Sequence, residues 1–388
     1  MVPRPVPQSP SPPLIPEFFA GREVFITGGT GFMGKVLVER LLWTCRDVAR
    51  LHLLMRHKKD CAPEKRLAQL KQSQVFDVVR AHCPQQLDKL SMLAGDVTAP
   101  RLGLDQHSLA QLSQVFHVVR AHCPQQLDKL SMLAGDVTAP RLGLDQHSLA
   151  QLSQVFHVVR AHCPQQLDKL SMLAGDVTAP RLGLDQHSLA QLSQVSVVFH
   201  SAATLKFDEP LRVAVEQNLR SVLTLMDICD QLPNMQVLVH VSTAYSNAEL
   251  THVEERVYPS PAPLAHLLSL VDVLPEQLLA DITPRLIAPK PNTYTFTKAM
   301  AESAVAARAS AAHYAVAIFR PSIVISSLRT PFPGWIENLN GPSGALVGAG
   351  KGALHVLSCA GARGADMIPV DVAIDTLLAV AWEAAVDE

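Results

Sequence analysis

The stretch Val24–Gly34, which reads Val-Phe-Ile-Thr-Gly-Gly-Thr-Gly-Phe-Met-Gly, constrains the fold of this chain more than any other. An apolar run comes first, glycines follow at three-residue spacing, and an apolar-periodic segment covers residues 35–43, which together predict a strand, a tight turn and a helix. In such a turn Gly28 lets the chain bend sharply, Gly31 lets the backbone approach a pyrophosphate, and Gly34 lets the helix pack close to the strand. The helix N-terminus then offers N–H groups and a positive dipole end to phosphates. We therefore predict a dinucleotide-binding turn, with a plain tight turn as the alternative.

A second apolar run, Leu51–Met55, predicts a neighbouring buried strand, and basic residues follow it directly. In dinucleotide-binding folds the residue at this place meets the adenosine ribose, where an acid binds a free 2′-hydroxyl and an arginine binds a 2′-phosphate. Here Arg56 stands with Lys58 and Lys59 close by, and no acid comes before Asp60. The sequence therefore favours NADP(H) over NAD(H), and a solvated basic loop is the alternative.

Composition narrows the class of protein. With 48% hydrophobic residues, 18% charged residues and a formal charge of −2, the 388 residues suit a soluble α/β protein with a substantial core. Aromatic residues make up only 5%, and no basic run exceeds residues 56–59, so nucleic acid is not an expected partner. The seven cysteines have no metal-binding or disulfide spacing, which predicts an intracellular, reducing compartment and no metal site. No apolar run reaches about 18 residues and no signal-peptide order is present, so no spanning helix is expected.

Residues 1–16 contain seven prolines and predict a disordered, partly polyproline leader. Folded structure is expected to begin near residues 16–19, just before the first strand. The predicted organisation is this leader followed by one domain over residues 17–388.

Residues 74–113, 114–153 and 154–193 are three copies of one 40-residue unit, and the first differs from the others only at Asp77. A solenoid of such units is the alternative to weigh, but solenoid repeats diverge on their surfaces. Here even positions expected to be exposed, such as Gln85 and Lys89, are preserved in every copy. Near-identity indicates a very recent duplication or an assembly error, and one native copy.

Each copy encodes a strand ending in Gly-Asp-Val, at Leu90–Val97 in the first copy, and a helical segment after it. We expect one slot for this strand in the sheet, between its neighbours, so leftover copies would loop out and expose apolar strands. The strand-end aspartate that could accept from an adenine amino group is then Asp96, Asp136 or Asp176. We favour Asp176, because its helix runs straight into the next strand.

Downstream, Val195–Ala203 predicts a fourth strand whose end carries small residues, which suit the close approach of a cofactor. A helix over residues 209–231 and a fifth strand over residues 236–241 follow, and Ser242-Thr243 ends that strand. Residues 250–290 are interrupted by prolines and predict an irregular insertion near the substrate side, with helical spacing at 264–279. The order of elements predicts a doubly wound parallel α/β sheet with the triplicated segment inserted in the sheet region.

The stretch Asn292–Lys298 carries the predicted chemistry. Asn292 or Thr293 can cap a helix on which Tyr294 and Lys298 stand four residues apart, hence on one face. The ammonium is expected to lower the pKa of the phenol toward working pH, so that Tyr294 passes a proton to a carbonyl oxygen as hydride arrives at carbon. Thr243, or Ser242, could donate a hydrogen bond to the same oxygen. The structural alternative is a surface Tyr–Lys pair.

The order Thr-Gly-x-x-Gly-x-x-Gly, strand-end Ser/Thr and Tyr-x-x-x-Lys resembles that of the extended short-chain dehydrogenases/reductases, and more narrowly of the alcohol-forming fatty acyl-CoA reductases of animals. The resemblance covers nearly everything outside the leader and the extra repeats. It rests on residues 17–21, 27–35, 197–210, 240–247, 292–298, 320–324, 333–342 and 368–371. It implies a Rossmann-type fold and places the family's catalytic Ser/Thr, Tyr and Lys on Thr243, Tyr294 and Lys298. The candidate cofactor-binding residues are Thr27, Gly28, Gly31, Phe32, Met33, Gly34, Arg56, Asp96, Asp176, Val177, Ser201, Ala202, Ala203, Asn218, Arg320 and Pro321.

The resemblance further implies reduction of a long-chain acyl-CoA to a fatty alcohol with two NADPH, through a hemithioacetal and an aldehyde. It implies membrane association and a peroxisomal or endoplasmic-reticulum location facing the cytosol. Keeping one repeat copy would leave 308 residues, a length that fits the family's reductase domain without its C-terminal helical region. The alternatives are a sugar-nucleotide epimerase or dehydratase and an inactive NADPH-binding product; no oligomeric state is predicted.

Overall fold

A parallel sheet of six strands organises the part of the chain that the structure describes. The structure is a computed structural model, and it describes residues 14–55, 66, 70, 73–76, 170–358 and 364–386. The strands lie in the order β3-β2-β1-β4-β5-β6, and each neighbouring pair is parallel. Their bounds are β1 Glu23–Thr27, β2 Arg50–Met55, β3 Leu170–Ala174, β4 Val195–His200, β5 Val237–Val241 and β6 Ala315–Phe319. The predicted α/β class with a parallel sheet is confirmed.

Ten α-helices are described, and they pack on the two faces of the sheet or over its edge where the strands end. Their bounds are α1 Ile15–Phe19, α2 Phe32–Thr44, α3 Gln186–Gln191, α4 Leu211–Val215, α5 Ser221–Cys229, α6 Leu264–Val273, α7 Glu276–Ile287, α8 Thr293–Ala309, α9 Pro342–Gly350 and α10 Val370–Val386. A π-helical turn, Glu216–Arg220, joins α4 to α5. A separate two-stranded parallel sheet pairs β7, Ile323–Ile325, with β8, Met367–Pro369.

Successive side chains along a strand point to opposite faces of the sheet, so the hydrophobic core is divided between these two faces. In β1, Val24 and Ile26 join one buried cluster, with α2 and α10, while Phe25 joins the other, with α5 and α8. These side chains are fully buried. The strands read as continuous apolar runs because helices cover both faces of a parallel sheet.

The chain order of the strands reverses between β1 and β4, which lie side by side with Thr27 opposite His200. In doubly wound sheets, ligands bind at the carboxyl ends of the strands where the order reverses. The Gly-rich turn leaves β1 and the small residues leave β4 at this point, which fixes the location of the candidate site.

The third copy of the repeat supplies strand β3, and Asp185 caps the short helix after it by accepting from the Ser188 N–H at 2.7 Å. The expectation that this strand lies between two neighbours is wrong. It lies at the edge of the sheet and pairs only with β2 among the described strands, because the chain crosses over the sheet directly to β4. The first two copies, and with them Asp96 and Asp136, lie outside the described residues apart from the 3₁₀ turn Gln74–Phe76.

The structure differs from the sequence-based predictions in two further places, the start of the folded region and residues 250–290. Helix α1 begins at Ile15, inside the predicted leader, and Phe18 and Phe19 are buried; residues 1–13 lie outside the described part. Residues 250–290 are more regular than predicted, because α6 and α7 occupy most of the second half. Arg212 binds this pair to α4, with its Nη2 donating to the Leu274 carbonyl at 2.6 Å and its Nε to Glu276 at 2.9 Å.

Candidate active site

A cavity of about 1030 Å³ opens at the carboxyl ends of the strands. Most of the predicted site residues line it: Gly28, Gly31, Phe32, Met33, Gly34, Val177, Ser201, Ala202, Ala203, Ser242, Thr243, Tyr294, Lys298 and Pro321. Thr27, Asp176, Asn218 and Arg320 lie outside its wall, and Arg56 and Asp96 lie outside the described residues. Its volume lies at the upper end of the range for ligand-binding sites.

The Gly-rich turn has glycine where the backbone leaves no room for a side chain. At Gly28, φ is +75° and a Cβ would lie 2.7 Å from the Ala202 nitrogen, so β1 and the strand-end loop after β4 are in contact. At Gly34, a Cβ would lie 2.2 Å from the Gly28 carbonyl oxygen, so α2 packs directly on the turn. At Gly31, among the described residues, an added Cβ would have that same oxygen as its only neighbour within 4 Å, at 3.2 Å. The three predicted roles of these glycines therefore correspond to three different environments.

Helix α2 begins immediately after Gly31, and no side chain caps it within the described residues. Its first N–H groups belong to Phe32, Met33 and Gly34, which line the cavity. Uncapped N–H groups at a helix N-terminus, together with the helix dipole, form a binding place for phosphate.

Thr27 and Asp176 hold the loops of the site together. The Thr27 hydroxyl lies 2.8 Å from His200 Nδ1 and accepts from the Ala202 N–H at 3.3 Å, so it fixes the loop that carries the small residues. The Asp176 carboxylate accepts from the backbone N–H and the hydroxyl of Thr178, at 2.9 and 2.8 Å. Both hydrogen bonds use Oδ1 of Asp176, so the predicted contact of this aspartate with an adenine amino group stays a prediction.

Asn218, in the π-helical turn, connects the loop after β4 with helix α8 through its side-chain hydrogen bonds. Its Oδ1 accepts from the Thr204 N–H at 2.9 Å, and its Nδ2 donates to the Thr297 hydroxyl of α8 at 3.1 Å. The side chain is almost fully buried. The adjacent residue, Gln217, lines the cavity instead.

Tyr294, Lys298 and Thr243 meet at one end of the cavity. Asn292 caps α8, with its Oδ1 accepting from the Thr295 N–H at 2.8 Å, and this places Tyr294 in the first turn. The Thr243 hydroxyl hydrogen-bonds the Tyr294 phenol. Lys298, one turn further, is buried and donates from Nζ to the Val241 carbonyl at 2.8 Å. The predicted cluster of strand-end hydroxyl, phenol and ammonium is therefore assembled on one wall.

The predicted lowering of the phenol pKa is not seen in this geometry. Burial raises the pKa of Tyr294 to about 12, and the Thr243 hydrogen bond only partly opposes this effect. Lys298 does not compensate, because its ammonium is bound to a backbone carbonyl and is itself desolvated. Burial lowers the pKa of Lys298 to about 8, against the opposing effect of the Glu302 carboxylate.

Two buried histidines lie beside Lys298 beneath α8. The rings of His200 and His240 stack with their centroids 5.4 Å apart. Burial, and next the Lys298 charge, lower the pKa of His200 to about 3 and that of His240 well below its ordinary value. Both rings are therefore neutral at physiological pH and add no positive charge beside the lysine.

Ser242 and Arg320 meet behind the cavity wall at a residue that the sequence did not indicate. The Ser242 hydroxyl donates to the Glu302 carboxylate, and Arg320 donates to both oxygens of that carboxylate, from Nε at 3.0 Å and from Nη2 at 2.6 Å. Glu302 lies 60 residues after Ser242 in the chain, so no local pattern predicts their contact. The position of Ser242 at the end of a strand is the one signal that marks this network in the sequence.

Arg66 is a second residue of the site that was not predicted from the sequence. It lines the cavity and donates from Nη2 to the Thr30 hydroxyl in the Gly-rich turn at 2.9 Å. Its local sequence carries no pattern that marks it. It brings a guanidinium to the turn where a nucleotide phosphate would be bound.

The segment 335–342 packs over the start of α2. Trp335 stacks on Phe32 with ring centroids 5.2 Å apart and planes 14° apart, and Glu337 forms an ion pair with Lys35 at 2.5 Å. Asn338 and Asn340 line the cavity. The segment therefore forms one side of the cavity next to the start of α2.

The described residues include neither a membrane-spanning helix nor a metal-binding cluster. No helix among them has the length and apolar character that crossing a membrane requires. No group of three or more His, Cys, Asp or Glu side chains in the same part is arranged to hold a metal ion.

The chain is 33% identical over 373 residues to fatty acyl-CoA reductase 1 of Gallus gallus, and 33% identical over the same length to that of Xenopus laevis. Each alignment covers 96% of this chain and 57% of the relative, so the chain spans little more than half of their length. Among solved structures, the terminal R domain from the myxalamid PKS-NRPS biosynthetic pathway shares the fold. It has a TM-score of 0.50 at 18% identity, over 93% of this chain and 62% of that one.

A sequence profile of the NAD-binding family described as male sterility protein matches residues 26–123 and 153–377. The interruption, 124–152, falls within the second copy of the repeat. The match includes the Gly-rich turn, the strand-end hydroxyls and the Tyr294–Lys298 pair. The chain therefore belongs to the male sterility protein family of NAD-binding domains.

Proposed function

We propose that this chain is the reductase domain of an alcohol-forming fatty acyl-CoA reductase, and that it reduces a long-chain acyl-CoA with NADPH. The observation that carries the proposal is the convergence of Thr243, Tyr294 and Lys298 on the cavity that also receives the Gly-rich turn. Hydride transfer to a carbonyl needs a proton donor and a cofactor site next to each other, and this cavity offers both. The acyl-CoA substrate class comes from the names of the relatives.

The residues present fit a dinucleotide. The uncapped start of α2 suits the pyrophosphate, and the small residues Ser201–Ala203 leave space beside it. Arg66 supports NADPH over NADH, because a guanidinium at the turn can bind the 2′-phosphate in addition to Thr30. When bound, NADPH would supply the hydride for each reduction.

Tyr294 would donate the proton that the carbonyl oxygen needs. With a pKa near 12 its phenol keeps the proton throughout the physiological range, and Thr243 holds it by a hydrogen bond. Lys298 would present its ammonium to the nicotinamide ribose. Reduction of the thioester carbonyl gives a hemithioacetal, which expels the CoA thiol and leaves an aldehyde. A second reduction, with a second proton from Tyr294 after it is reprotonated, gives the alcohol.

The test uses the full chain with NADPH and palmitoyl-CoA, with NADPH oxidation and extracted products measured together. We expect hexadecanol and free CoA, and a loss of kcat/KM of about 100-fold or more in Tyr294→Phe. Tyr258→Phe is the matched control, since Tyr258 lies outside the cavity wall and its oxygen accepts from the Glu254 N–H at 2.8 Å. Conversion of a UDP-sugar without turnover of palmitoyl-CoA would instead assign the site to an epimerase or dehydratase. NADPH binding without either reaction would contradict the proposed activity for this chain.

A further inference from the structure

Glu302 is a buried acid that the proposed chemistry does not use directly. It lies on α8 one turn after Lys298 and is 1% exposed. Its two carboxyl oxygens accept three hydrogen bonds, one from the Ser242 hydroxyl and two from Arg320. Arg320 is in turn fixed by donating from Nη2 to the Arg256 carbonyl at 2.9 Å. An acid with so many partners next to the candidate catalytic wall requires an explanation.

We propose that Glu302 is a positioning residue of the reductase site, which commits Ser242 to itself, leaves Thr243 as the strand-end donor, and holds a negative charge one turn from Lys298. The proposal rests on the proposed function for its kinetic part, and on the geometry alone for its electrostatic part.

The first consequence concerns the two strand-end hydroxyls. A serine hydroxyl has one proton to donate, and that of Ser242 goes to the carboxylate, so Ser242 can only accept from a group in the cavity. The Thr243 oxygen accepts from the Tyr245 N–H at 3.2 Å, which leaves its own proton available to the phenol or to a substrate carbonyl. The network therefore separates two neighbouring hydroxyls that residue spacing alone left open.

The second consequence concerns the charge of Lys298. Around the ammonium, β4 and β5 contribute His200 and His240, both neutral, and α8 contributes Tyr294 and Glu302. Among these described groups, Glu302 supplies the negative charge that favours protonation of the lysine, and burial opposes it. Arg320 balances the carboxylate on the side away from the cavity. Without Glu302, the ammonium would be desolvated with no counter-charge on its own helix.

The electrostatic part is tested without activity. Protein labelled with [¹³Cε]lysine is titrated by NMR, and the Lys298 signal is assigned by its loss in Lys298→Met. We expect Lys298 to titrate near pH 8 in the parent, and about one pH unit or more lower in Glu302→Gln. Glu383→Gln, an exposed site at the end of α10, is the matched control, and the pH at which Lys298 titrates should be unchanged in it. An unchanged Lys298 titration in folded Glu302→Gln would overturn this part, even if the chain proves to have no reductase activity.

The kinetic part compares the two hydroxyls in the palmitoyl-CoA assay. We expect Thr243→Val to lower kcat/KM about 100-fold, the usual effect of removing an oxyanion donor, and Ser242→Ala to lower it less than tenfold. A loss in Ser242→Ala equal to that in Thr243→Val would overturn the assignment. This comparison does not require Glu302→Gln to fold.

The Glu302→Gln variant is tested by its pH profile. The alkaline limb of the pH profile of kcat/KM should move to lower pH, while the plateau at lower pH is largely kept. A uniform loss at every pH, with no movement of the limb, would mean that Glu302 only supports the fold.

Discussion

The Lys298 ammonium donates to the carbonyl of Val241 at 2.8 Å, which ties the centre of α8 to the end of β5. Val241 immediately precedes Ser242-Thr243, so this hydrogen bond sets the distance between the strand-end hydroxyls and Tyr294. It also explains why the lysine does not lower the pKa of the phenol. The ammonium is directed at the backbone and is fully desolvated, and its own pKa falls to about 8.

A pH dependence of cofactor binding follows from this lysine. Above pH 8 Lys298 loses its proton, which weakens its proposed hydrogen bond to the nicotinamide ribose, whereas Tyr294, with a pKa near 12, stays protonated. The Kd for NADPH should therefore be nearly constant from pH 6 to 7 and rise severalfold by pH 9. Fluorescence titration at each pH measures it. Lys298→Met should bind weakly at every pH without this rise, and the exposed Lys351→Met should behave like the parent. A rise that persists in Lys298→Met would assign the effect to another group.

The glycines of the turn give a second prediction. Gly34→Ala places a Cβ 2.2 Å from the Gly28 carbonyl oxygen, so the turn must move, and we expect Tm to fall by several degrees. Gly31→Ala meets only that oxygen, at 3.2 Å, and should fold with a small change in Tm. Because the Gly31 Cβ would occupy the proposed path of the pyrophosphate, this variant should lose most of the Tm increase that NADPH gives the parent.

Gly350→Ala is the matched control for both glycine variants, since its added Cβ would meet no atom within 4 Å in the described part of the chain outside its own helix backbone and chain neighbours. Thermal unfolding with and without NADPH separates the two effects. A Gly31→Ala protein that keeps the full NADPH-induced increase would show that the pyrophosphate does not pass over this glycine.

Local sequence patterns were sufficient for the elements that position the site. The strand, turn and helix at the Gly-rich stretch, the cap at Asn292 and the shared face of Tyr294 and Lys298 all depend on spacing within one or two turns. Spacing of this kind is fixed by helix and strand geometry, so it can be read without knowing the fold. The roles assigned to these residues stay predictions.

The parts that sequence could not supply depend on contacts between distant residues. Burial is the main cause of the raised pKa of Tyr294, and the spacing of residues in the sequence does not show how deeply this side chain is buried. The commitment of Ser242 to Glu302 and the approach of Arg66 to Thr30 join segments 60 and 36 residues apart. The edge position of β3 depends on strand pairing, and three copies of one sequence offer no local difference from which to infer it.

The mouth of the cavity gives a prediction on substrate length. Leu205 and Phe207 line the cavity, yet they are 65% and 62% exposed, and the Phe207 ring lies 5.6 Å from that of Tyr294. An acyl chain that covers Phe207 gains roughly 1–2 kcal/mol of apolar burial. Phe207→Ser should therefore raise KM for palmitoyl-CoA about tenfold and leave KM for butyryl-CoA nearly unchanged.

Steady-state kinetics over a series of chain lengths checks the Phe207 prediction. Phe332→Ser is the control, since Phe332 is a partly exposed phenylalanine outside the cavity wall. Equal changes in KM for long and short acyl-CoA would mean that Phe207 does not contact the acyl chain.

Glu39 gives a prediction on stability rather than on activity. It lies on α2, is 1% exposed, and neither carboxyl oxygen has a hydrogen-bond partner among the described residues. Burial raises its pKa to about 8, and Asp375 and Asp371 act in the same direction against Arg40. The unfolded chain ionises this group near its ordinary pKa while the folded protein keeps it neutral. Its contribution to the free energy of unfolding is therefore full below the ordinary pKa of a glutamate and is lost as pH rises toward 8, on the order of 5 kcal/mol in total.

Glu39→Gln removes this titration, so the variant should gain stability relative to the parent as pH rises from 5 to 8. Urea unfolding at pH 5, 6.5 and 8 measures the difference, with Glu383→Gln as a control that should show none of this trend. A difference between Glu39→Gln and the parent that stays constant over this pH range would contradict a neutral Glu39 in the folded protein. A growing difference would instead show that the buried acid Glu39 on α2 limits the stability of the domain at alkaline pH.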